Sequence, residues 1–204
     1  MSGKVEYYTI KIDSQQEMSW VYSAADFQKQ LSAAFQGQSL KKLFVSLYGY
    51  LDYSKRRDDY LDFSYMGGTL LLVFDHSVLE LVIHVEGMME YRIMPAWEVK
   101  IPKQGTVDWP PEDTWIRSTS CYYYNLGQEL APYCFERVIR AITVNKTDIY
   151  PFSLRGWDEI QGKEAEKRGD LPQSIELHMD GGACLYLCGE ALEYFYIQFE
   201  EEKA

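Results

Sequence analysis

Histidine is scarce in this chain: His76, His84 and His178 are the three among 204 residues. That scarcity narrows the chemistry on offer, because imidazole is the usual general base near neutral pH and the commonest metal ligand. The strings that announce nucleophilic catalysis are missing as well. No serine stands in a Gly-x-Ser-x-Gly turn and no cysteine has papain-like surroundings. Asp75-His76-Ser77 carries the atoms of a triad, but three consecutive residues cannot turn their side chains onto one another, so the triplet reads as a turn. The pairs Gly67-Gly68 and Gly181-Gly182 lie between apolar, strand-like runs rather than ahead of a helix. Each is expected to close a hairpin, and neither to cradle a phosphate.

Metal ligation is equally poorly announced. Zinc sites gather three or four ligands, with local spacings of two to four intervening residues. Cys184 and Cys188 have that spacing, yet four residues along a strand span about 13 Å, too far to share an ion. No metal ligand and no cofactor are expected. Cys121, Cys134, Cys184 and Cys188 are even in number, but a chain of this length without an export signal has little need of disulfides, and they read as reduced thiols. No apolar run approaches the ~20 residues that span a bilayer, and no positive, apolar leader opens the sequence. A cytoplasmic protein away from membranes is the expectation.

Positive charge is the next shortage. Twenty basic side chains stand against 31 acidic ones, a formal net charge of −11. Residues 1–100 hold 10 basic and 13 acidic groups, leaving 10 and 18 for the remainder, so the second half carries most of the excess. Lys55-Arg56-Arg57 is the one basic triplet, and Asp58 and Asp59 follow it at once. A surface of this sign repels phosphate backbones, so no nucleic-acid partner is expected. Long-range steering favours a basic protein partner instead.

What is present is a strand-rich pattern with one helix. Residues 5–12 alternate apolar and polar. Ser23 precedes Ala24, Phe27, Leu31 and Ala34, spaced by three and four, with Gly37 beyond them; a serine cap, one apolar stripe and a glycine stop predict a helix over 24–35. Strand-forming runs follow at 43–51, 60–65, 70–74 and 79–85, joined by connections too short for parallel crossovers, so an antiparallel meander is expected. Residues 70–73 lack alternation, which predicts a central strand covered on both faces. Further strands are expected at 91–94, 97–101 and 137–144 and as a series over 174–199, with a short helix at 128–135 and an exposed loop at 157–169.

Part of the pattern recurs. Met66, Gly67, Gly68, Leu71, Leu79 and Glu80 match Met179, Gly181, Gly182, Leu185, Leu192 and Glu193 when two single-residue gaps are allowed. The fold class predicted is α+β, predominantly antiparallel β, with two sheet systems and one N-terminal helix at about 24–35. The expected organisation is a β-rich half over 1–101, a second over 126–204, and an ordered proline and aromatic connection over 102–125, the halves packed as one unit.

Seventeen tyrosines, nine phenylalanines and five tryptophans exceed the needs of a core this size, so some rings should reach the surface, where large rigid area suits a protein interface or a sugar. The candidate binding residues are Trp109, Trp115, Tyr122, Tyr123 and Tyr124 in the connection, with Tyr48, Tyr50 and Tyr53 in the first sheet. Packing at the joint between the halves explains the same rings. Glu80 and Glu193, at matching places in the recurrence, are the carboxylates to inspect; Glu86, Glu90 and Glu190 read as solvated strand positions. The functional expectation is a non-enzymatic, acidic protein-binding module that masks a basic partner. In general character it is like a bacterial immunity protein, although no motif carries that likeness. A carboxylate-dependent hydrolase with an aromatic cleft, or a carbohydrate-binding module, is the alternative.

Overall fold

The computed structural model describes residues 3–46, 51–52, 60–65, 68–83, 89–109, 122–125, 135–146, 172–190 and 194–201. In chain order the first elements are β1 (Gly3–Thr9), β2 (Lys11–Ile12), β3 (Ser19–Trp20), α1 (Ala24–Phe35), β4 (Leu40–Ser46), β5 (Leu51–Asp52), β6 (Tyr60–Tyr65), β7 (Gly68–Phe74) and β8 (Ser77–Ile83). There follow β9 (Met89–Pro95), β10 (Val99–Lys100), β11 (Lys103–Trp109), β12 (Tyr122–Asn125), β13 (Ile139–Lys146), β14 (Pro172–Met179), β15 (Ala183–Glu190) and β16 (Tyr194–Glu201). Eight strands form one sheet in the order β11-β1-β12-β4-β7-β8-β9-β3, six form another in the order β13-β14-β15-β16-β6-β5, and β10 pairs with β2. Every strand pairing among the described residues is antiparallel. The protein is therefore α+β and predominantly antiparallel β, with one α-helix among the described residues.

That helix forms for the reasons legible in its sequence. The Ser23 hydroxyl accepts from the Asp26 N–H at 3.3 Å, satisfying one of the first-turn donors. Ala24, Phe27, Leu31 and Phe35 make the buried stripe. Gly37 takes φ 88°, a left-handed conformation that lets the chain turn away. Phe35 stacks on Phe74 with ring centroids 4.3 Å apart, and Phe27 tilts against Tyr91 at 4.7 Å. Each fully buried ring or leucine on the stripe contributes about 1.5–3 kcal/mol of transfer free energy.

The main core is shared by α1 and one face of each large sheet: Leu43, Leu70, Leu72, Leu79 and Leu81 come from the eight-stranded sheet, and Ile142, Ile175, Leu177, Leu185 and Leu187 from the six-stranded one. Behind the eight-stranded sheet a second cluster, Phe44, Leu71, Val78 and Met94, is covered by Tyr8, Ile12, Val99 and Ile101. Strand β7 thus sends Leu70 and Leu72 to one core and Leu71 to the other, as its unbroken apolar run predicts. The outer edge of β13 is closed by the helix and its exit. Gln28 Oε1 accepts from the Val144 N–H at 2.8 Å, Gln36 Nε2 donates to the Arg140 carbonyl at 2.9 Å, and the Gly37 N–H donates to the Ile139 carbonyl at 2.9 Å. An edge with its ladder groups satisfied in this way offers little to a passing strand.

Two expectations change in detail. Strand β6 pairs with β16 and β5, in the six-stranded sheet, whereas β7 pairs with β4 and β8 in the other. Strands β6 and β7 consequently form no hairpin with each other; the local pattern marked the strands, while their partners were chosen by distant chain. The recurrence is therefore partial, because β14, β15 and β16 are neighbours in sequence order and β6 and β7 are not. Residues 102–125 supply β11 and β12, which flank β1 on its two sides. The helix expected over 128–135 and the loop over 157–169 fall outside the described residues, except Phe135, which lies in a turn. No helix among the described residues is long and apolar enough to cross a membrane.

Candidate functional site

Among the described residues, the polar face of the six-stranded sheet brings together a group of reactive side chains. In β14, Ile175, Leu177 and Met179 enter the core, so the period of two places Ser174, Glu176 and His178 on the opposite face. In β15, Ala183, Leu185 and Leu187 enter the core, and Cys184 stands across from His178 in register. From β13, Thr143 stands opposite Glu176 and Asn145 opposite Ser174. The hairpin Asp180–Gly182 sets this register, with Gly181 at φ 72° and Gly182 at φ 73°. It is tied to the start of β13, where the Val138 N–H donates to Asp180 Oδ1 at 3.2 Å and Arg137 Nη1 donates to the Asp180 carbonyl at 3.2 Å.

His178 Nε2 lies 3.1 Å from Glu176 Oε2 and 3.2 Å from Thr143 Oγ1. Asn145 Nδ2 donates to Glu176 Oε1 at 2.5 Å and to Ser174 Oγ at 2.9 Å, holding the carboxylate from its far side. One donor atom each from Glu176, His178 and Cys184 lies within 4.8 Å of the other two. Side-chain exposure grades from 40% at His178 to 20% at Glu176, and Cys184 is 6% exposed. A sulfur that deeply covered is poorly presented as a nucleophile. Carboxylate, imidazole and thiol together are suited to hydrogen bonding or to holding a cation.

This grouping was missed by local spacing, which weighed Cys184 only with Cys188; both lie in β15. A signal did exist. Ser174, Glu176 and His178 alternate with apolar residues, and counting outward from a turn centred on Gly181 places 178 opposite 184.

The expected site residues that are described lie on several strands of the eight-stranded sheet. Glu80 is 8% exposed and its Oε2 accepts from Arg92 Nε at 2.9 Å and Nη2 at 2.5 Å. It shares the second-cluster face of the eight-stranded sheet, on the far side of the main core from His178. His76 is exposed in the bend before β8, where its N–H donates to Gln38 Oε1 at 2.9 Å. Trp109 ends β11 opposite Gly3, and Tyr122, Tyr123 and Tyr124 form β12 between β1 and β4. Trp115, Glu193, His84, Glu86, Tyr48, Tyr50 and Tyr53 lie outside the described residues. Two exposed rings had not been singled out: Trp97, 77% exposed, and Tyr22, 50% exposed.

A separate ionic group fastens the β7–β8 bend to the start of β4. Asp75 Oδ2 accepts from the Ser39 N–H at 2.6 Å and Asp75 Oδ1 meets Lys41 Nζ at 3.0 Å, while Lys41 also bonds Glu136. The Ser39 N–H, and then the Lys41 ammonium, hold the Asp75 carboxyl below its usual range. The Glu136 and Asp75 carboxylates raise the Lys41 pKa. The Lys103 bond, with that from the Tyr8 hydroxyl, likewise lowers Glu6. No family model matches the chain, and neither does a curated protein or a solved structure.

Proposed function

We propose that the chain is a non-enzymatic, acidic protein-binding module that docks a basic protein and masks it, in the manner of an immunity-type protein of a bacterial cytoplasm. The observation that carries this reading is how its cations are used. Lys41, Arg92, Lys100, Lys103 and Arg140 are each engaged on the protein's own carboxylates. Cations held in that way are poorly placed to grip a phosphate backbone, and the chain as a whole carries a net charge of −11. Electrostatic complementarity of this kind sets association rate and partner choice more than final affinity. The exposed rings of Trp97 and Tyr22 add rigid apolar area of the type that anchors interfaces.

The test is affinity capture from the source cell with the intact chain, at low and at high ionic strength, with identification of every retained protein. A specific basic protein retained at low salt and released as salt rises supports docking by charge. Retention of nucleic acid, or no specific partner at either salt, removes the proposal.

A further inference from the structure

We infer that Glu176, His178 and Cys184 form a three-ligand site for a zinc-class divalent cation, assembled by the β14–β15 hairpin. Residues two apart on a strand share a face, and the cross-strand partner of one of them completes a triangle of nearest neighbours. Glu176 and His178 are such a pair, and Cys184 is the register partner of His178. Their donor atoms already lie within 4.8 Å of one another. Bonds of about 2.0–2.3 Å to a tetrahedral ion place donors roughly 3.3–3.8 Å apart, so side-chain adjustment of up to about 1 Å closes the set without moving the backbone. The Glu176 to His178 separation of 3.1 Å needs almost none.

The donor types choose the ion. Calcium and magnesium take oxygen ligands, whereas one thiolate, one imidazole and one carboxylate suit zinc. An outer layer is in place: Asn145 occupies Glu176 Oε1 and leaves Oε2, the oxygen facing His178, for the ion. Half-exposed His178 gives ion and water a way in, and the buried position of Cys184 keeps the sulfur from solvent oxidants once it is bound. Binding releases the thiol proton. Three protein ligands leave a tetrahedral ion one position for water. The inference rests on these side chains alone and is independent of the docking proposal.

The experiment is titration of the intact, chelator-stripped protein with Co2+, read by absorption, followed by displacement with Zn2+. The expected result is saturation at one equivalent, with a thiolate-to-cobalt charge-transfer band and the visible bands of tetrahedral cobalt, all removed by Zn2+. Cys184→Ser abolishes the charge-transfer band, and Glu176→Gln and His178→Ala weaken binding beyond the about 10–100-fold loss typical of an outer-layer residue. Asn145→Ala, a positioning change, falls within that range. Circular dichroism of each variant checks folding, and the unmodified chain decides the matter if a variant fails to fold. Absence of the thiolate band at one equivalent in that chain overturns the inference. So does a band that persists in Cys184→Ser, which would place the ion on another cysteine.

Discussion

Two carboxylates of similar sequence setting do different work in this fold. Glu80 lies on a covered face and is satisfied by two Arg92 nitrogens. Removing one partner of a buried pair leaves the other charged and desolvated, so Arg92→Leu should cost about 3 kcal/mol, read as a lowered urea midpoint at pH 7. Glu80→Gln with Arg92→Leu should recover much of that loss, since no charge then stays behind. Asp75 is half-exposed and works through a backbone donor and a lysine. Its folded pKa is depressed, so its stabilisation is present above the unfolded value of about 3.9 and is lost as pH falls through the lower folded value. Asp75→Asn should therefore be less stable than the parent at pH 7 by about 0.2–1 kcal/mol. The two proteins should begin to converge in urea midpoint as pH falls below about 4, and meet once pH is below the depressed folded value. Tyr91 responds at the other end: burial raises its pKa against a bond to Gln30, so the folded state favours the neutral phenol and loses that advantage as pH rises past about 10.

Among the elements, α1 and the β14–β15 hairpin carry the most consequence. The hairpin depends on left-handed backbone at Gly181, where an added Cβ would also come within 3.0 Å of Arg137 Nη1. Gly181→Ala should lower stability by about 1–2 kcal/mol through the backbone alone, checked by thermal or urea unfolding. At the inferred zinc site the same change weakens cobalt binding by disturbing the register of His178 with Cys184. Helix α1 was legible to the residue because its signals are local: Ser23, a stripe at three and four, and Gly37. The unbroken run at Leu70, Leu71 and Leu72 was legible as a doubly covered strand for the same reason. Strand partners were not. Tyr60–Tyr65 has the composition of a strand in either sheet, and its place beside Tyr194–Glu201 is fixed by chain more than 120 residues away. The candidate site was unreadable for a related reason, since Thr143, Asn145, Glu176, His178 and Cys184 meet only when three strands take one register, and a slip of one residue would turn each set to the opposite face.

For the molecule as a whole, the main core ties α1 to both large sheets, and Lys41, Lys100, Lys103 and Arg140 are spent on internal pairs at its surface. Such exposed pairs add little to stability. Their larger effect is on what the surface presents, in a chain whose net charge of −11 gives the field its sign. That field acts before contact, so it belongs to the rate of association rather than to the final fit. The most direct measurement is therefore the association rate constant with the captured partner across ionic strengths from about 10 mM to 500 mM, a range over which the screening length shortens from about 30 Å to a few ångströms. The account predicts a steep fall in that rate as salt rises, with a much smaller change in dissociation. A rate that does not respond to salt would contradict it.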